Sequence, residues 1–197
     1  GRTLAFTLNY GSSEPMEVCF FGFCYTIPPF SAGNLWLANL ETGEFLNLPL
    51  DDRVVHSPTW SPDGQRIVYA GESGLAWIDL DDMDKGRFPG SSAWDNSPAF
   101  SPDGRQIAFM GRAHDHWELF VMNADGSGRR PLTQGAAGEG RPANSVAPAW
   151  SPDGDRIAFV SDRDGPWRIY VMGSDGSAPV SMFRRKLDGL GMTYEWA

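Results

Sequence analysis

An all-β fold of repeated four-stranded antiparallel sheets is expected for this chain, on three observations. A pentapeptide recurs as Trp60-Ser61-Pro62-Asp63-Gly64, Phe100-Ser101-Pro102-Asp103-Gly104 and Trp150-Ser151-Pro152-Asp153-Gly154. The 197 residues include 23 Gly and 15 Pro, a composition suited to many short strands joined by tight turns. A helical period is scarcely visible anywhere.

Each pentapeptide follows a Ser-Pro or Ala-Pro step (Ser57-Pro58, Ser97-Pro98, Ala147-Pro148) and precedes an apolar alternation: Ile67-Val68-Tyr69, Ile107-Ala108-Phe109, Ile157-Ala158-Phe159. The unit is therefore strand, turn, strand, with Pro presetting φ, Asp accepting the third position and Gly supplying freedom at the fourth. A third strand follows at Ala76-Trp77-Ile78, Leu119-Phe120-Val121 and Ile169-Tyr170-Val171, each ending at an acidic turn. A short fourth strand passes through Arg130-Pro131-Leu132 and Val180-Ser181-Met182. Four strands per unit, with the turn glycines at 64, 104 and 154, match the blades of a β-propeller. The longer second interval is accounted for by a loop over Gly135 to Val146.

The ends supply a further blade. Gly1-Arg2-Thr3-Leu4-Ala5-Phe6 aligns with Gly104 to Phe109, Asn34 to Asn39 gives that blade's third strand, and Phe45-Leu46-Asn47-Leu48 its fourth. Its missing first strand resembles Met192-Thr193-Tyr194-Glu195-Trp196-Ala197. The expected architecture is thus a single four-bladed propeller domain over 1–197. Its first blade takes 1–50 plus 192–197, with an insertion at 11–33, and the others take 54–90, 94–134 and 146–183. A piece of a longer array, or two chains completing each other through open edges, are alternatives. Trp36, Trp60, Trp77, Trp150 and Trp196 fall on repeating strand positions and are expected between blades.

With 25 acidic and 16 basic residues the net charge is −9, which repels phosphate backbones and argues against nucleic acid as a partner. No run of 18 apolar residues is present, so no transmembrane segment is expected, and Gly1-Arg2-Thr3-Leu4 has no leader character.

The stretch from Ala147 to Gly165, with Trp150-Ser-Pro-Asp-Gly154 and Ile157-Ala-Phe-Val-Ser-Asp-Arg-Asp164, followed by Trp167 to Met172, resembles the TolB-like family of propeller repeats, the WD40-like PD40 repeats. The resemblance covers Asn34 to Gly176 and the first six residues. It implies a propeller of the bacterial cell envelope or outside it, periplasmic or secreted, acting as a protein-binding platform and sometimes as a gate beside a peptidase. The family's namesake has six blades where four are counted here, so its partners are not carried over.

The insertion differs from the repeats. Cys19 and Cys24 are the only cysteines, and in an oxidising compartment they would form a disulfide that clips a hairpin tip. Around them stand Phe20, Phe21, Phe23, Tyr25, Ile27 and Phe30, which read as a partner-binding patch or, alternatively, as a satellite cluster buried over the blade.

Chemistry is thinly represented. There is no nucleophile elbow and no phosphate loop opening a helix. His114-Asp115-His116 has no visible third metal ligand, and an exposed turn is the simpler account. The carboxylates of Asp79-Leu80-Asp81-Asp82-Met83-Asp84 and Asp162-Arg163-Asp164-Gly165 read as turn caps, the latter pairing with Arg163, in preference to calcium ligands. No catalytic residue, metal site or cofactor is assigned. The expected function is a non-catalytic scaffold binding protein partners or copies of itself, with possible envelope association. The propeller domain of a carbohydrate-active or peptidase-gating enzyme, or a glycan or small-ligand binder, is the alternative.

Overall fold

The computed structural model describes residues 2–8, 14–20, 23–27, 34–134 and 142–182. Among these, regular structure is β throughout. The first sheet joins β1 (Thr3–Leu8), β4 (Asn34–Asn39) and β5 (Phe45–Asn47), with β2 (Met16–Phe20) and β3 (Phe23–Ile27) forming a separate ribbon inserted between β1 and β4. Three four-stranded antiparallel sheets follow: β6 (His56–Trp60) to β9 (Lys85–Arg87) through β7 (Arg66–Gly71) and β8 (Gly74–Asp79); β10 (Asn96–Phe100) to β13 (Arg130–Pro131) through β11 (Gln106–Ala113) and β12 (His116–Asn123); and β14 (Ser145–Trp150) to β17 (Val180–Ser181) through β15 (Arg156–Ser161) and β16 (Arg168–Gly173). Each is a meander in sequence order, the arrangement expected of propeller blades. Residues 192–197, expected to complete the first sheet, lie outside the described residues, as does Trp196.

The repeated turn explains why these sequences reverse direction where they do. In the second copy the Ser101 hydroxyl donates to Asp103 Oδ1 at 2.6 Å, Asp103 accepts the Arg105 amide at 3.0 Å, and Ser101 Oγ accepts the Gln106 amide at 2.9 Å. The Gly104 amide closes the turn on the Ser101 carbonyl at 2.9 Å, at a φ of 71° that favours glycine. The copies at Ser61 and Ser151 repeat these bonds.

The proline before each turn has a consequence that the repeat alone does not reveal. Ser57, Ser97 and Ala147, each preceding a proline, sit at φ of 49°, 50° and 54°. The ladder register shifts between His56 and Thr59 and between Val146 and Ala149. Proline has no N–H for the ladder, and these bulges take Pro58 and Pro148 out of it.

Two compact units, 1–98 and 99–197, make up the chain, with the boundary inside β10. In the first, alternate residues of β4, β7 and β8 (Leu35, Leu37, Ile67, Tyr69, Ala76, Ile78) bury a core with Leu48 and Val55, and Trp60 packs against it. In the second, Ala108, Met110, Leu119 and Val121 meet Val146, Ile157, Phe159, Tyr170 and Met172, with Trp117 and Trp150 at the margin. The period of two along each strand is what brings these residues to one face. Trp36 is buried, and Trp150 donates its Nε1 to the Ala99 carbonyl at 3.1 Å; Trp77 instead lies half-buried beneath the Arg66 guanidinium, 4.3 Å from the ring centroid.

Candidate functional site

The ribbon begins where the first sheet has its hairpin, after Leu8, and returns at Asn34, opposite Leu8 in the register. Its own register pairs Met16 with Ile27, Glu17 with Thr26, Val18 with Tyr25, Cys19 with Cys24 and Phe20 with Phe23. Successive positions of a strand alternate between faces, so Glu17, Cys19, Cys24 and Thr26 share one face of the ribbon and Met16, Val18, Phe20, Phe23, Tyr25 and Ile27 the other. Glu17, Cys19, Cys24 and Thr26 are exposed. The two cysteines are directly opposed, with Cα atoms 4.0 Å apart and sulfurs at 2.10 Å. Phe21 and Phe30 lie outside the described residues.

Charge separates this region from the rest. From Thr3 to Asp52 there are six acids (Glu14, Glu17, Glu41, Glu44, Asp51, Asp52) and no Lys or Arg. In the fold Glu41, Asp51 and Asp52 are paired with Arg2, Lys85 and Arg87, whereas Glu17 is exposed on the ribbon.

The acidic segments are occupied by structural bonds. Asp79 takes both arms of Arg66, at 2.6 and 2.8 Å, and this pairing holds its carboxyl below the usual carboxylate range. Asp82 accepts the Asp84 amide at 2.9 Å. In the second segment, Asp162 accepts the Asn144 amide at 2.7 Å and its side-chain amide at 3.1 Å, while Asp164 accepts the Tyr170 hydroxyl. Burial and that bond push the Tyr170 phenol up to about 12. Arg163, expected to pair with the neighbouring acids, instead donates to the Ser161 hydroxyl and lies 4.9 Å from the ring centroids of both Phe159 and Tyr170. The stacked rings offer a planar surface and negative π-faces, which hold a guanidinium where desolvation would disfavour a lone charge.

Two features were missed in the sequence. Asp52, buried at the entrance to the second sheet, accepts the Glu72 amide at 3.1 Å and Arg87 Nη2 at 2.6 Å. Asp162 clamps the corresponding place in the last sheet from the opposite side, through Asn144. The second feature is a bridge at the tip of the β11–β12 hairpin, where His116 stands between Asp115 and Glu118. His114 turns the chain there at φ 60°. Among the described residues no three His, Cys, Asp or Glu side chains converge as a metal site requires.

A family model described as PD40, TolB beta propeller domain, matches residues 35–186. Compared by sequence with curated proteins, the chain has no match. Among solved structures it is similar to TolB from Acinetobacter baumannii, with 23% identity and a TM-score of 0.65 over 78% of this chain and 38% of that one. It is also similar to a protein assigned as TolB from Agrobacterium tumefaciens, with 20% identity and a TM-score of 0.62 over 91% and 80%. A puromycin-hydrolysing peptidase from Mycobacterium tuberculosis gives 19% identity and a TM-score of 0.61 over 89% and 31%. At such identities the likeness is one of fold, and this chain spans well under half of the Acinetobacter protein and of the peptidase. With its recurring Ser-Pro-Asp-Gly turns between paired strands and a family match over most of its length, the chain belongs to the TolB beta propeller domain family.

Proposed function

We propose that this chain is a non-catalytic, extracytoplasmic propeller that docks a protein partner, or a second copy of itself, through the ribbon of β2 and β3, with Phe21 and Phe30 as further contact residues. One observation carries this reading: among the described residues the ribbon belongs to none of the blade sheets, and it divides by register into a face with the disulfide and a face of six apolar residues. A two-stranded ribbon is marginal alone, so a covalent clip that holds it in shape is more useful to recognition than to the core. The disulfide fits an oxidising compartment. Exposed Glu17, on the disulfide face, favours a partner with a basic group at the rim of its apolar cleft.

The test is a triple variant, Phe20→Ser, Phe23→Ser and Tyr25→Ser, compared with the unaltered protein by native mass spectrometry of complexes isolated from the source. The variant is expected to lose the bound partner or the second copy while keeping the near-ultraviolet circular dichroism of the blades. An unchanged set of complexes overturns the reading. The likeness to the peptidase favours a second reading, the propeller part of a hydrolytic enzyme; hydrolysis of peptide substrates by the complexes would support it.

A further inference from the structure

The β11–β12 hairpin is longer than its counterpart in the second sheet, with strands of eight residues where β7 and β8 have six. Ala113 pairs with His116, leaving a two-residue loop of His114 and Asp115. His114 at φ 60° is in a region that costs an L-residue about 1–2 kcal/mol, so the tip is held in place against its own backbone preference. Arg112 Nε donates to the His114 carbonyl at 3.3 Å.

Thr133 Oγ1 accepts the Leu119 amide at 2.9 Å and donates its one proton to Glu118 Oε2. Glu118 Oε1 lies 2.9 Å from His116 Nε2, and Asp115 Oδ1 lies 3.1 Å from His116 Nδ1. An ionised carboxylate only accepts, so both ring nitrogens must donate, and only imidazolium can do so. A neutral ring has one N–H. Glu118 is buried, with 4% of its side chain exposed, whereas Asp115 is 78% exposed and can turn to water. Losing a partner is costlier for the buried group, so the remaining proton belongs on Nε2 and the Asp115 bond is the one that fails.

We propose that His116 is a pH-operated fastener of the β11–β12 tip: charged, it ties exposed Asp115 to buried Glu118; neutral, it keeps Glu118 and releases Asp115. Among the described residues the surrounding charges are His114 and Arg112 on the same hairpin and, from the turn after β15, Arg163, whose charge interacts with that of Glu118. Burial pulls the His116 ring down, and the bonds from Asp115 and Glu118 outweigh it, leaving its pKa above the usual 6.5. A raised folded-state value means that the fastening is fully present below the ordinary imidazole range and is lost as pH rises through the raised one.

The experiment is a nitrogen-15 titration of the histidine rings in the intact protein, with amide exchange protection measured over residues 112–117 on either side of the His116 midpoint. Expected are a midpoint above 6.5, an Nε2–H tautomer on the alkaline side, and protection of the tip falling about threefold or more as the charge-assisted bond goes. Asp115→Asn, at an exposed site that leaves the fold intact, should abolish the pH dependence of tip protection while His116 still titrates. Glu118→Gln should lower the midpoint if it folds. An Nδ1–H tautomer, a midpoint at or below 6.5, or tip protection in the Asp115→Asn variant as pH-dependent as in the unaltered protein would overturn the proposal.

Discussion

At the scale of single residues, the repeated turn is held by groups no more than five positions apart, and for that reason it could be read directly from the pentapeptide. Asp103 shows how much it rests on ionisation. The Ser101 hydroxyl first, and the Arg105 amide next, hold its carboxyl below the usual range, and Asp63 and Asp153 are treated alike by Ser61 and Ser151. A carboxylate depressed in the folded state contributes stability above its unfolded pKa and loses it as pH falls through the lowered value. Asp103→Asn should therefore be less stable than the unaltered protein at neutral pH, with the difference narrowing as pH falls below the ordinary carboxylate range. Urea midpoints across that range check this, and a constant difference would refute it. The buried clamps were not legible in the same way. Asp52 reaches Glu72 across 20 positions, Asp162 reaches Asn144 across 18, and Thr133 reaches Glu118 across 15. In sequence these are ordinary polar residues, and only the meander brings them together.

At the scale of elements, strand order followed from the alternation of apolar residues, and the inserted segment stood out because it interrupts that pattern. What the pattern does not contain is the bulge at each Ser-Pro or Ala-Pro step, although a proline within an apparent strand is itself the signal for one. The ribbon's register was also out of reach, since Cys19 and Cys24 could close a loop of several shapes. Opposed across two strands, they make the ribbon's order conditional on the bond between them. Reduction with a thiol should lower exchange protection of the amides of residues 16–20 and 23–27 by at least about tenfold, because an unclipped two-stranded ribbon is marginal. The amides of β7, β11 and β15 should be unaffected. Equal loss in the ribbon and those strands would mean that the disulfide supports the blades as well.

At the scale of the whole molecule, the described residues of each unit form an apolar cluster drawn from neighbouring sheets, so stability is shared between sheets and no single one can hold its inner face dry alone. Phe159 is the strongest probe of the second cluster. It is fully buried, stacked on Tyr170 with centroids 5.7 Å apart, and lies beneath Arg163. Phe159→Ala should cost about 3–5 kcal/mol by leaving a cavity and an unsupported guanidinium. Val180→Ala, at an exposed position, should stay within about 0.5 kcal/mol. Chemical denaturation of both variants decides this, and comparable losses would place the core elsewhere.

At one edge of each blade sheet, the last strands β5, β9, β13 and β17 have only two or three residues each, and β13 ends in Pro131. Such stubs give another chain little backbone to add to, a natural safeguard against amyloid-like growth. The ribbon has the opposite property, with two five-residue strands and no further strand in its sheet among the described residues. Residues 16–20 and 23–27 are thus one place where another chain could add a strand. The cystine there restricts how far those strands can slide into a new register, and so guards against fibril growth from the ribbon.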